Sequence, residues 1–192
     1  MRNVLVISAT PRKDGNSEIL AEQAAAGARE KGAQVEVVHL RDYEIGYCRA
    51  CMGCMRSGKP ECVRKDGMAG MYEKLRAADG IVFATPVYFF TVSGQMKVFL
   101  DRTFALGAEG NWKALAGKQV GYLMTYGDPD PLHSGVVNAY AMFRDASAFL
   151  GMKEAGCVHA ACGDVGQVRK NEPALAAAKE LGRRMGAGAA QP

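Results

Sequence analysis

Three short runs of the chain, Val4 to Ile7, Ile81 to Ala84 and Val120 to Met124, are apolar almost without interruption instead of alternating with polar residues. They are strand-length and rich in β-branched side chains, the pattern of strands buried on both faces of a parallel sheet. Val35 to Leu40 is a fourth candidate, and Ala155 to Ala160 a weaker fifth. Between them lie helix-length segments: Ser17 to Lys31, Met68 to Ala77, Ser93 to Ala105, Val136 to Leu150 and Pro173 to Met185. Their apolar positions recur at intervals of three and four, as Ile19-Leu20, Ala24 and Gly27-Ala28 do on the first.

Strand followed by helix, repeated five times, predicts a doubly wound α/β fold with helices on both faces of a parallel sheet. No GxGxxG follows the first strand and no GxxxxGK[ST] occurs, which weighs against a dinucleotide-binding half and a Walker-type NTPase. The flavodoxin-like strand order 2-1-3-4-5 fits best, and it places a ligand crevice at the carboxyl ends of strands one and three. No linker divides the 192 residues, so they are expected to form one domain, 1–192, with a cysteine-rich loop, 44–66, inserted after strand two. The end of the chain, Gly186 to Pro192, is expected to fray.

Composition narrows the classes. With 48% hydrophobic and 23% charged residues the chain is ordinary globular material. A net charge of +4, concentrated only between Arg49 and Lys65, is too mild for a nucleic-acid partner. No apolar run reaches the roughly 18 to 20 residues of a membrane span, and the N-terminus enters a strand directly with no signal-peptide pattern. A soluble, cytoplasmic protein is expected. Four of the six cysteines crowd between positions 48 and 62, which in a reducing compartment means metal or redox chemistry more often than disulfides.

The candidate chemistry lies in four loops. After strand one, Ser8, Thr10, Asn16 and Ser17 can donate to an anion at a helix N-terminus, Gly15 permits close backbone approach and Arg12 adds a bidentate contact. The plain alternative is a loop in which Asn16 or Ser17 only caps the helix. Strand three ends in Thr85-Pro86-Val87-Tyr88-Phe89, a stiff aromatic stretch suited to bordering a planar ring, unless the aromatics are buried packing. After strand four comes Thr125-Tyr126-Gly127-Asp128, which otherwise reads as a simple Gly-Asp turn.

Together, Ser-x-Thr-Pro-Arg-x-x-Gly-Asn-Ser at 8 to 17, Thr-Pro-Val-Tyr-Phe at 85 to 89 and Gln-Met-Lys-Val-Phe-Leu-Asp-Arg at 95 to 102 resemble the NADPH-dependent FMN reductase superfamily. The resemblance implies that the first loop cradles the FMN phosphate, the second borders the isoalloxazine and the third closes over the flavin.

The fourth loop carries Cys48-x2-Cys51-x2-Cys54-x7-Cys62. Three cysteines at intervals of three can turn their sulfurs toward one centre, and a fourth can close it. The run differs from bacterial ferredoxins in its longer last gap and in Val63 where proline would follow. A 4Fe–4S cluster and a tetrahedral zinc both remain open on these residues. Arg49, Arg56, Lys59, Arg64 and Lys65 would temper the charge of an anionic cluster. With this loop included, the resemblance narrows to the iron–sulfur flavoproteins. Asp66 and Met68 continue the motif, although Gly67 stands where an acidic residue is more usual.

What the resemblance implies is an electron-transfer oxidoreductase using FMN and a 4Fe–4S cluster. Its partners would be ferredoxin or a small-molecule acceptor, with NAD(P)H as a candidate donor, and its assembly a homodimer or homotetramer. The alternatives are an NAD(P)H-dependent FMN or quinone reductase without a functional cluster, and a zinc-stabilised binding module without redox role. Cys157 and Cys162, which flank His159, read as small buried hydrophobes.

Overall fold

The computed structural model describes residues 1–108, 110 and 112–188. The chain runs through β1 (Asn3–Ser8), α1 (Asn16–Glu30) and β2 (Gln34–His39) into the cysteine loop, which contains the short helix α2 (Gly53–Ser57). Next come α3 (Ala69–Ala77), β3 (Gly80–Tyr88), the two-residue strand β4 (Thr91–Val92) and α4 (Gly94–Thr103). The last part comprises β5 (Gln119–Tyr126), α5 (Pro131–Ser134), α6 (Val136–Phe149), β6 (Lys153–Ala161) and α7 (Glu172–Ala187).

Five strands pair in parallel in the order β2-β1-β3-β5-β6, and β4 folds back antiparallel on the end of β3. Counting the parallel strands alone, this is the expected 2-1-3-4-5. The apolar runs are continuous because successive residues feed two cores. Leu5 and Ile7 of β1, with Ile81 and Phe83 of β3, pack under α3, α4 and α6. Val4, Val6, Val82 and Ala84 pack under α1 and α7. β3 runs past the expected Ala84 to Tyr88, which carries the second loop beyond the sheet edge.

On the second face, α1 and α7 approach closely enough to exclude side chains. A Cβ built on Gly27 would stand 2.0 Å from the Lys179 carbonyl oxygen, and one on Gly182 1.9 Å from that of Ala24. α7 therefore continues further than the sequence suggests: Gly186 is buried in the helix instead of fraying, with a built Cβ 2.6 Å from the Ala28 carbonyl oxygen. Residues 189–192 of the segment expected to fray lie outside the described residues. Among the described residues no helix is long and apolar enough to cross a membrane.

Gly182→Ala should force the two helices apart, because the obstacle is backbone, and should cost about 1–3 kcal/mol by the usual scale of overpacking. Urea unfolding monitored by circular dichroism measures this; an unchanged midpoint would show that the helices separate freely.

Candidate functional site

The first, second and third loops converge on one cavity of about 180 Å³ at the carboxyl ends of β1, β3 and β5. Thr10, Arg12, Gly15, Asn16 and Ser17 border it from the first loop, Pro86, Val87 and Tyr88 from the second, and Tyr126 and Gly127 from the third. Gly15 occupies the N-cap of α1 and supplies no side-chain cap. The first intrahelical bond runs from Ile19 N to Gly15 O, so the amides of Asn16, Ser17 and Glu18 precede the helical ladder. Ser17 is buried and its Oγ has no hydrogen-bond partner; the same is true of Ser8. Such orphaned buried hydroxyls are costly unless a ligand completes them. A Cβ on Gly15 would lie 2.6 Å from Thr10 Oγ1, so only glycine leaves this cradle open.

Several expected roles change on inspection. Asn16 borders the cavity, but its side chain is spent: Nδ2 donates to Asp164 O at 2.8 Å and Oδ1 accepts from Val168 N at 3.0 Å. It latches α1 to the segment after β6 instead of offering a donor to an anion, and an Arg169–Asp14 ion pair at 2.7 Å reinforces the latch. Ser8 is buried at the end of β1 and does not border the cavity. Thr85 does not border it either. Its Oγ1 accepts from Ser93 N at 3.1 Å, while Ser93 Oγ donates to Ala9 O at 2.7 Å and caps α4 by accepting from Met96 N at 3.3 Å. Thr85 thus fixes the strand ends and the start of α4.

The aromatics of the second loop are not packing. Tyr88 is 39% exposed and Phe89 94%, and Phe89 stands outside the cavity wall. The β3–β4 turn holds Phe89 at φ 45° and Phe90 at φ 68°, a left-handed conformation that bulky residues rarely adopt. The turn is braced by α6: a Cβ on Gly135 would come within 2.3 Å of Phe90 Cα, and Asn138 Nδ2 donates to Phe90 O at 3.3 Å. Asp128 also departs from its expected place, since Oδ1 accepts from Asp130 N at 2.8 Å in a turn that leads into α5.

Thr125, the first residue of the third loop, also borders the cavity, and so do Cys162, Gly163 and Val165, which the sequence had not pointed to. The only sequence signal was a Gly-Asp-x-Gly turn after the fifth strand. Cys162 is buried, and burial raises its thiol pKa; burial pushes that of Cys157 up to about 12. Both therefore stay protonated. Tyr126, which burial likewise shifts upward, places its hydroxyl 2.9 Å from His159 Nδ1.

Cys48, Cys51, Cys54 and Cys62 all border a second cavity, of about 60 Å³, shared with Arg64 and Arg102. Two of the loop's residues, Ala50 and Met52, are held at φ 51° and 56°, which folds the three closely spaced cysteines around α2. Cys54 is buried, and desolvation more than the charge of Cys62 and Cys48 raises its pKa. Among the described residues no three metal-binding side chains are gathered tightly enough to hold a single ion.

The loop is closed at its base. Arg102, at the C-terminal end of α4 with a side chain 1% exposed, donates to Gly46 O at 2.6 Å and to both Asp66 oxygens at 2.7 and 3.0 Å. Gly46 N donates to Asp66 Oδ2 at 3.2 Å, and Arg64 reaches the same oxygen at 3.1 Å. Burial alone would raise the Asp66 carboxyl, but hydrogen bonds from Arg102, Met68 N and Gly46 N hold it below the usual carboxylate range. Of the basic residues expected here, Arg49 and Arg64 border the cavity, and Arg56 donates to Cys51 O at 2.7 Å. Lys65 instead faces Glu61 at 3.9 Å.

Strand order, switch-point cavity and anion-ready helix start define a flavodoxin-like α/β protein with a second, cysteine-lined site. The chain belongs to the NADPH-dependent FMN reductase family, which residues 2–165 match. It is similar to an iron-sulfur flavoprotein of Archaeoglobus fulgidus, 34% identical over 120 residues covering 62% of this chain and 52% of that protein. An FMN-dependent NADH:quinone oxidoreductase of Exiguobacterium sp. is 30% identical over 174 residues, 80% of this chain and 81% of that one. In three dimensions the NAD(P)H:quinone oxidoreductase of Methanothermobacter marburgensis shares the fold, with a TM-score of 0.75 at 18% identity, covering 99% and 98% of the two chains. The chain spans about half the length of the iron-sulfur flavoproteins it matches.

Phe89 is 94% exposed and its ring meets that of Phe90 edge-on, centroids 5.7 Å apart, so its left-handed conformation is a cost with little packing return. Phe89→Gly should raise stability by about 0.5–1 kcal/mol, the roughly 1–2 kcal/mol of left-handed strain less the entropy cost of glycine. A lowered urea midpoint would contradict this.

Proposed function

We propose that the protein is an electron-transfer flavin oxidoreductase that binds FMN in the larger cavity and a 4Fe–4S cluster on Cys48, Cys51, Cys54 and Cys62. The observation that carries this reading is that an anion-ready crevice and a four-thiol pocket are fixed to the two ends of a single helix, α4, through Ser93 and Arg102. FMN, when bound, exchanges electrons singly or in pairs, and an iron–sulfur cluster exchanges them one at a time, so a protein holding both can link the two kinds of partner.

The residues divide that work. Ser17 Oγ and the first amides of α1 would bind the phosphate, Arg12 would add charge at the mouth, and Gly15 leaves room for it. At about 180 Å³ the cavity is smaller than the roughly 300 Å³ at which drug-sized pockets begin, so it would suit the phosphate end, and Pro86, Val87 and Tyr88 would border the ring. No side chain needs to act as acid or base in electron transfer itself. In the cysteine pocket the four thiols border one space, and a compact series of this spacing suits an iron–sulfur cluster better than zinc, whose sites more often pair two separated Cys-x2-Cys knuckles. NAD(P)H or ferredoxin are the donors this reading admits, and a quinone-type molecule the acceptor.

Ser17→Ala tests the flavin site. Loss of one hydrogen bond to a charged group is worth about 1.5–3 kcal/mol, so FMN affinity should fall roughly 10- to 100-fold while riboflavin, which lacks the phosphate, binds as before. Fluorescence titration with both flavins decides. Equal losses for the two, or wild-type protein that binds no FMN, would remove the phosphate from this loop.

A further inference from the structure

The charges at the cysteine pocket do not balance within the protein. Among the described residues Asp66 is the only carboxylate in contact with Arg102, and it is shared with Arg64, so two guanidinium groups face one carboxylate at the wall of a cavity that four thiols also border. Both Nη atoms of Arg102 are engaged, on Gly46 O and Asp66, whereas Nε is buried and has no partner. A buried donor left unmatched beside an excess positive charge calls for an anion. The two residues that Arg102 grips lie at opposite ends of the cysteine loop, Gly46 just before Cys48 and Asp66 just after Cys62.

We propose that Arg102 is the positioning and tuning residue of the cysteine site: it clips the two ends of the loop together and contributes its charge and free Nε–H to the anionic group that the four cysteines hold. This rests on the cluster reading above. A cluster held by four thiolates gains negative charge when it is reduced, and a fixed cation at its wall favours the reduced form, raising its potential. Lysine cannot replace this arrangement, because it keeps the charge but loses both the fork that spans Gly46 and Asp66 and the Nε–H. The sequence places Arg102 at the end of the Gln95 to Arg102 motif but does not show which groups its side chain meets.

The test compares wild type, R102K and R102M as full-length protein, reconstituted anaerobically, by iron and sulfide content and by a potentiometric titration that reads cluster and flavin midpoints in the same sample. R102M should disfavour cluster reduction at least tenfold, about 59 mV for one electron. R102K should shift it in the same direction but less, with the flavin midpoint unmoved in both. A merely structural arginine would move neither midpoint, or both. Should R102M fail to fold, R102K decides alone, and loss of iron from an R102K protein that still binds FMN supports the clip. Iron content and cluster midpoint both unchanged in R102K would overturn the assignment of Arg102. Absence of iron from the reconstituted wild type would instead overturn the cluster reading on which it stands.

Discussion

Helix α4 is held at both ends by buried hydrogen bonds, and the two candidate sites are built against those ends. At its start, Ser93 joins Thr85 of β3 to Ala9 at the end of β1, the point where the sheet's connections diverge and a crevice must open. At its other end, Arg102 closes the cysteine loop through Gly46 and Asp66. Between them Met96 and Phe99 are buried in the first core, so the helix cannot shift without disturbing the sheet. Its ten residues span about 15 Å at the usual helical rise, which sets the scale separating the crevice from the pocket.

The same economy shows in the backbone. Among the described residues the non-glycine positions with positive φ are Asp14, Ala50, Met52, Phe89 and Phe90. Every one lies in a loop that shapes one of the two cavities. Strain of this kind persists only where the surroundings overdetermine it, as Gly135 and Asn138 do for the Phe90 turn, and it gathers where function dictates geometry. Elsewhere the close α1–α7 approach rests on small residues such as Ala24, Gly27, Ala28 and Gly182, flanked by the Lys179–Glu30 and Arg183–Glu30 ion pairs.

Much of this was legible in the sequence, and what was not has particular causes. The continuous apolar runs located the three central strands because a doubly covered sheet demands side chains that are apolar on both faces, whereas the edge strands β2 and β6, less buried, gave weaker signals. β4 escaped notice because two residues carry no periodicity. The loops were found from their composition, but composition cannot say which partner a polar side chain takes. Asn16 reads as an anion donor in the sequence and is spent on Asp164 and Val168, about 150 positions away. Thr85 likewise reads as a site residue and is a brace. Arg102 stood in a recognised motif, but its burial and its partners were not legible, since they are created by a loop that folds back over the helix from more than thirty residues earlier.

The central claim is that one domain carries a flavin and an iron–sulfur cluster at the two ends of α4. Chemical analysis of full-length protein purified and reconstituted under anaerobic conditions tests it most directly, with FMN, iron, acid-labile sulfide and zinc measured on the same sample. The account predicts one FMN with about four irons and about four sulfides per chain, and their loss, with FMN retained, when Cys54 is replaced by alanine. Protein that binds FMN and holds about one zinc, or no metal, under those conditions would contradict it.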